Sequence, residues 1–467
     1  MEFKKEAKEA QGNLSKVNMD FFDYVEKNPD CFNRSSFQLL ELNDWLFTLQ
    51  PWPTFINRET RKKFQEAGVK LFNLIKTIPR RVFNNDPHKI SEYFNLPLTA
   101  VNLQLDGEDD EHINQLLCRG DFIISPTGLK CLEYNVSANL GGVIVPIWEN
   151  LYLNTPVIAR FLKEYQIKIY NENLISLILE HVIEPPLKKL LHDDGERKMN
   201  IAIVAQMEYR DESIDRNEIY LNQLYKKVLT SVNGNRELKG EVFLCDFPDL
   251  NVDDGYVFHK GKKVHAIIEM CHGVVPPKVI DSFKSGKVYL INGPISQLLS
   301  NKLTLAVLSD YRNSDVFTDE EKEIIDAYIP WTRKIIPGST IYKNETIDDL
   351  EDFICSNREN LVIKPSRGLG GDGICVGIKS SQEEWEIALK KAIKDKDWLV
   401  QEYVSSPPGL YQSGEQGYDY QDMVWGFFII GTHYIGAWNR VMPRKDNKGV
   451  INCHQGATVS IIFEVDH

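Results

Sequence analysis

Lys364 stands where an apolar run meets a glycine-dense loop: Leu361-Val-Ile-Lys364-Pro-Ser366-Arg367-Gly368-Leu-Gly370-Gly371-Asp-Gly373-Ile374. Glycines let backbone N–H groups approach phosphate oxygens with no Cβ in the way. A lysine on the strand before them adds a point positive charge for the same phosphates. About thirty residues on, Gln401-Glu402-Tyr403-Val404 ends another apolar run. A strand end of this kind offers backbone N–H and C=O groups to an adenine edge, with Tyr403 and Val404 walling the ring. The grouping points to a flap, Ser366–Gly373, folding over a nucleoside triphosphate between two antiparallel strands.

Three other readings compete. Gly368, Gly370 and Gly373 satisfy G-x-G-x-x-G, but a dinucleotide site needs that loop to open a helix. Here the continuation, Ile374-Cys-Val-Gly-Ile, is strand-like. Val376-Gly-Ile-Lys379 imitates the lysine strand of a protein kinase, yet no HRD or DFG follows. A glycine hairpin with no ligand is the third, although the flanking Lys364 and Arg367 are more cationic than a plain turn requires.

A second constellation lies far upstream. Asp121 and Glu133 are twelve residues apart across Pro126-Thr127-Gly128, so a two-stranded hairpin makes them neighbours. Glu133 and Asn135, two apart, share a face. Two carboxylates and an amide oxygen form a hard-oxygen set suited to Mg2+. Taken alone, the segment reads equally as a solvated hairpin.

The elements that must position these groups change along the chain. Residues 1–100 read as mostly helical, with apolar residues three and four apart over 13–26 and 58–77, interrupted at Pro51-Trp52-Pro53. A hairpin follows from Asp121, then helix over 151–195 with a break at Pro185-Pro186. Strand and helix alternate over 198–290, which predicts a small parallel α/β unit. Residues 315–355 read as helical and acidic, broken at Pro330 and Pro337-Gly338. A helix over 382–394, a strand ending at Val404, a loop over 407–417 and two strands, 424–431 and 433–441, complete the chain.

The lysine strand, flap and Gln-Glu-Tyr-Val hinge together resemble the nucleotide half of an ATP-grasp ligase. In that superfamily a later Asp and a Glu-x-Asn motif bind magnesium, and no Glu-x-Asn follows Val404. The upstream Asp121, Glu133 and Asn135 supply it, so the chain resembles a circularly permuted ATP-grasp protein. It is similar to the synthetase domain of glutathionylspermidine synthetases and related permuted ligases. The segment from Arg119 to Asn139 resembles their Arg-x-Asp…Leu-Glu-Tyr-Asn stretch. The Ser300-Asn301-Lys302 segment resembles their helix with an ATP-contacting lysine, and the last strand pair resembles one carrying an arginine near the transferred phosphate, Arg440.

The resemblance implies an α/β (α+β) fold: a helical N-terminal region (1–110), metal-binding strands (111–150), a pre-ATP-grasp-like unit (151–290) and a nucleotide-binding region (291–467). It implies ATP held by Lys302, Lys364, Ser366, Gly368, Gly370, Gly371, Gly373, Gln401, Glu402, Tyr403 and Val404. Mg2+ would sit on Asp121, Glu133 and Asn135, and Arg119 and Arg440 would be catalytic. The implied reaction joins a carboxylate to an amine through an acyl phosphate, releasing ADP and phosphate. Acyl transfer to a thiol, hydroxyl or carrier protein, or a catalytically silent ATP-binding regulator, are the alternatives. The flap departs from the relatives in being richer in glycine. Their N-terminal amidase has no counterpart either, because Cys31 lacks a Cys–His context, so spermidine and glutathione are not carried over. Trp331–Arg333 and Asn452–Thr458 read equally as acceptor contacts or as core and loop.

Composition agrees. Across 467 residues, 42% hydrophobic content supports a core, and the length suggests about three domain-sized units. A net charge of −13 disfavours nucleic acid and anionic membranes as partners. No apolar run is long enough to span a bilayer, and the start carries no signal-peptide core. The eight scattered cysteines read as reduced core thiols. A cytoplasmic protein acting on small-molecule or peptide carboxylates and amines is expected, and a homodimer is compatible with it.

Overall fold

The computed structural model describes residues 2–28, 48–106, 110–190, 198–205, 212–232, 238–271, 275–368, 370–413 and 417–466. Cys31 lies outside the described residues. The seven-stranded sheet is built from β1 (Thr54–Asn57), β2 (Leu117–Ser125), β3 (Gly128–Val136), β4 (Gly409–Gln412), β5 (Tyr418–Ile430), β6 (His433–Pro443) and β7 (Thr458–Val465). Its order is β1-β7-β6-β5-β2-β3, with β4 on β5. Only β1 and β7 run parallel. The β2–β3 hairpin thus joins the last third of the chain directly, through β2 on β5.

One face of this sheet packs on α1 (Arg58–Arg81). Asn57 caps the helix by accepting from the Thr60 N–H, and Phe64, Ala67, Leu71, Phe72, Ile75 and Ile78 form its buried stripe. Phe64 stacks on Phe427 at 4.3 Å, Phe427 on Phe122 at 4.7 Å, and Phe72 on Tyr134 at 5.6 Å. Because strand side chains alternate, burying Phe122 and Tyr134 on α1 turns Arg119, Asp121, Glu133 and Asn135 to the opposite face. The core therefore decides where the polar residues point.

Of the four smaller sheets among the described residues, two have four strands. Four parallel strands, in the order Tyr289–Ile291, Ala266–Glu269, Ile201–Val204, Val242–Cys245, match the α/β unit expected over 198–290. A four-stranded antiparallel sheet sets Leu361–Pro365 between Trp398–Glu402 and the short Cys375–Val376, with Thr332–Lys334 at its edge.

Four expectations fail. The helix Leu174–Leu190 runs through Pro185-Pro186 instead of breaking there, and the interruption falls earlier, between Glu164 and Leu174. Residues 315–355 hold only two α-helices, Asp319–Tyr328 and Leu350–Ser356, flanking strands at Thr332–Lys334, Thr340–Tyr342 and Glu345–Ile347. Lys343 and Asn344, at φ 46° and 69°, form the tight turn that makes the last two a hairpin. The expected loop over 407–417 contains β4, and β6 is followed by one more strand, β7.

Candidate functional site

The β2–β3 register sets Asp121 opposite Glu133 and Arg119 opposite Asn135. It shifts between Asp121 and Phe122, leaving Leu132 as the extra residue of a bulge, a device that re-aims nearby groups. The Leu132 carbonyl accepts a hydrogen bond from Lys364 Nζ at 3.4 Å. Asn135 Nδ2 lies 3.4 Å from both Asp121 Oδ2 and Glu133 Oε1, so one amide bridges the two acids.

Cations from three other parts of the chain close on this face. Lys302 Nζ sits 3.2 Å from Glu133 Oε2 and donates to the Gly368 carbonyl at 3.1 Å, tying hairpin to flap. Lys364, buried, donates to Gln401 Oε1 at 2.6 Å. Arg440 Nη2 lies 2.7 Å from Asp121 Oδ2, and Arg119 Nε 2.7 Å from Asp121 Oδ1. Burial pushes the Glu133 carboxyl up, but Lys302, Lys364, Arg440 and Arg119 outweigh it and hold it at about 2. Burial brings the Lys364 ammonium down to about 8, with Glu133 opposing the shift. For Arg119, burial works against the charge, yet Asp121 raises the guanidinium pKa overall.

These groups line a single cavity of about 300 Å³. Of the expected nucleotide contacts, Lys302, Lys364, Gly368, Gly370, Gly371 and the hinge 401–404 are in its wall. Ser366 and Gly373 are not in that wall. Ser366 is pinned behind it, its N–H on Asp397 and its carbonyl taken by the Lys302 N–H. The hinge is also more occupied than a bare strand end. The Glu402 and Tyr403 N–H groups donate to Trp331 and Asn360 carbonyls, which leaves Val404 as the hinge amide without a protein partner among the described residues. Trp331 and Arg333 lie outside the cavity wall, whereas Asn452, Cys453 and His454 are in it.

Sequence reasoning missed Trp438, Asp372 and the loop ahead of Asn452. A Cβ on Gly371, whose φ is +84°, would strike Val450, and one on Gly370 would come within 3.2 Å of His454. The flap and the 449–456 loop therefore interlock over the cavity. The two glycines and the polar Asn452 were the available signal, but nothing in the sequence says that this loop meets the flap.

The donor set fits a magnesium nucleotide. Glu133 and Asn135 offer hard oxygens on one face, and Lys302, Lys364, Arg119 and Arg440 gather around Glu133 and Asp121, where they can meet a polyanion. Arg440 Nε and Ser366 Oγ are buried without a partner among the described residues. Asp121, expected as a metal ligand, already has both oxygens on guanidiniums.

The fold is shared with known proteins although the sequence is not. No protein-family model matches the chain, and no curated protein matches it. A glutathione synthetase-like effector from Globodera pallida, in its apo form, superposes over 98% of both chains with a TM-score of 0.56 at 11% identity. D-alanyl-alanine synthetase A from Vibrio cholerae gives a TM-score of 0.28 over 57% of this chain and 74% of its own, at 10% identity, a likeness too low to carry an argument. The chain has a mixed α/β fold of the kind seen in the Globodera synthetase-like protein. No helix among the described residues is long and apolar enough to cross a membrane.

Proposed function

We propose that this chain is an ATP-dependent carboxylate–amine ligase of circularly permuted ATP-grasp arrangement, and that it works in the cytoplasm. One observation carries the reading. Glu133 and Asn135, on a hairpin that precedes the flap strand by more than two hundred residues, share one cavity with Lys302, Lys364 and the glycine flap. The fold shared with a synthetase-like protein agrees with it. In this reading 111–150 and 291–467 form the catalytic core, 151–290 is the pre-ATP-grasp-like unit, and 1–110 is scaffold.

Glu133 and Asn135 would hold Mg2+, and Lys302 and Lys364 the phosphates. MgATP, when bound, supplies the phosphoryl group that activates a carboxylate for attack by an amine. This chain's own work is positioning and charge neutralisation, which dominate phosphoryl transfer. The flap, locked on Val450 and His454, excludes water from the activated acid. Arg119 or Arg440, both held on Asp121, would neutralise the oxyanion of the tetrahedral intermediate. The test is ADP release from MgATP with pooled carboxylic acids and amines, with product masses read by mass spectrometry. ADP release that requires both pools and a product joining acid to amine are expected. ADP formation indifferent to both pools, or no ATP binding, removes the reading.

A further inference from the structure

Two histidines from distant parts of the chain meet outside the cavity already described. His181 stands on the helix Leu174–Leu190, and His433 opens β6. His181 Nε2 lies 3.2 Å from His433 Nδ1, with the rings 4.9 Å apart and inclined at 63°. The helix buries Leu174, Ile178 and Val182 and packs on the parallel strands Ala266–Glu269 and Tyr289–Ile291 as well as on β6. The imidazole pair therefore sits on the seam between the parallel unit and the seven-stranded sheet. Neither histidine lines the cavity.

Both rings are held from behind. His181 Nδ1 lies 3.0 Å from the Leu177 carbonyl. A carbonyl only accepts, so Nδ1 carries the proton and the lone pair of the neutral ring is on Nε2, the atom that faces His433. Donating the far N–H to such an acceptor is how a metal-ligating histidine is fixed in tautomer and orientation. On the other side, His433 pairs with Ile430 across the two-residue loop Gly431-Thr432. The Gly431 N–H donates to the Leu116 carbonyl at 2.9 Å, and its own carbonyl accepts from Lys76 Nζ at 3.4 Å. A Cβ on Gly431 would come within 2.5 Å of the Asn114 carbonyl oxygen, so the turn presenting His433 has little room to move. Thr432 Oγ1, 3.5 Å from His433 Nδ1, is at the outer limit of a hydrogen bond. Two nitrogens on one metal, at bonds of about 2.0–2.1 Å and a near-tetrahedral angle, stand about 3.3 Å apart. The spacing of this pair is already close to that value.

We propose that His181 and His433 form a two-imidazole site for a divalent late transition metal of the zinc, nickel and copper class, which suits nitrogen donors. The metal would clip the helix Leu174–Leu190 to the β5–β6 turn and so tie the parallel unit to the seven-stranded sheet. Among the described residues no third histidine, cysteine or carboxylate joins the pair. His433 is exposed and His181 half-buried, so water completes the coordination. The site differs from the hairpin acids in chemistry as well as in place, because Mg2+ prefers oxygen ligands.

The experiment titrates zinc chloride into the nucleotide-free protein in excess Mg2+, read by titration calorimetry and by melting. Zn2+ should bind and raise Tm, since a ligand held only by the folded state stabilises it. His181→Ala and His433→Ala should each remove one bound zinc per chain, or weaken it about 100-fold or more, because losing a ligand costs at least as much as losing its outer partner. The Tm shift should vanish with it in both variants. Any shift with MgATP should stay at the wild-type value, since neither histidine is in the cavity wall. Wild-type protein that binds no Zn2+ overturns the proposal and leaves the pair as a ring-to-ring hydrogen bond. Unchanged zinc stoichiometry and affinity in either variant overturns it too, by placing the metal elsewhere. Both results leave the ligase reading standing, because they are obtained without nucleotide.

Discussion

Two half-buried carboxyls, one in the seven-stranded sheet and one in the parallel sheet, meet opposite fates. Burial pushes both up. At Glu133 the ammonium groups of Lys302 and Lys364 and two guanidiniums overcome it and hold the acid at about 2. At Glu269, on the parallel strand Ala266–Glu269, only a backbone contact at Cys271 opposes burial, and the acid rises to about 7. One of its oxygens, Oε1, is buried without a partner among the described residues. The difference lies in where the cations come from. The seven-stranded sheet carries Arg119 and Arg440 and draws in Lys302 and Lys364 from distant parts of the chain, whereas among the described residues the parallel unit brings no cation to Glu269. A surrounded acid stays ionised and can serve as a ligand, and an isolated one takes up a proton instead.

The largest effect is expected from Lys364→Met. Its ammonium is held in a buried site at some cost, as its lowered pKa of about 8 shows, so removing it should leave the apo melting temperature unchanged or slightly higher. ATP affinity should nevertheless fall about 100-fold or more, the loss of one partner in a buried charge contact. Calorimetric melting with and without MgATP measures both. An ATP-induced shift equal to the wild type's would detach the flap strand from the site.

Glu133→Gln comes next. It leaves four cations facing one carboxylate, so the apo protein should lose about 3 kcal/mol, and an amide is a poorer ligand for a hard cation. The Mg2+ concentration giving half-maximal activity should rise roughly 10- to 100-fold. An unchanged Mg2+ dependence would move the metal away from the hairpin.

The pH dependence is smaller and has a definite sign. Phosphates need Lys364 charged, and in the free protein it loses its proton near pH 8. ATP affinity should hold below pH 8 and fall by up to about ten-fold per unit above it, with net proton uptake on binding. Titration calorimetry at pH 8.5 in two buffers of different ionisation enthalpy reads that uptake. Over the same range the apo protein should gain stability, because the unfolded lysine keeps a proton that the folded one has shed.

How far the sequence reached follows from the same contrast. The hairpin was legible because Pro126-Thr127-Gly128 sits between alternating runs, and Glu133 and Asn135 are two apart. The flap was legible from its glycines. Neither signal is long-range. The edge strand Thr332–Lys334 and the hairpin at Lys343-Asn344 were hidden because three-residue strands carry too little periodicity to register. β1 and β7 are stabilised by pairing with each other across the whole chain. The contact of Trp438 with Gly141 and Gly426 could not be read at all, since the three become neighbours only through sheet register.

Glu269→Gln should give the smallest effect and the cleanest separation of the two sheets. A carboxyl raised from the ordinary range to about 7 contributes stability that is fully present below about pH 4.5 and is lost as pH rises through 7. An amide of the same shape does not titrate. The variant should match the wild type near pH 4.5 and exceed it by about 1–2 kcal/mol at pH 8, flattening the stability profile across that window. Urea unfolding at the two pH values measures it. Because Glu269 is not among the residues lining the cavity, MgATP affinity should not change. A variant that loses ATP affinity would show that the parallel unit reaches the nucleotide after all. One equally stable at both pH values relative to wild type would show that Glu269 finds a counter-charge in solution, so that the two sheets do not differ in how they treat a buried acid.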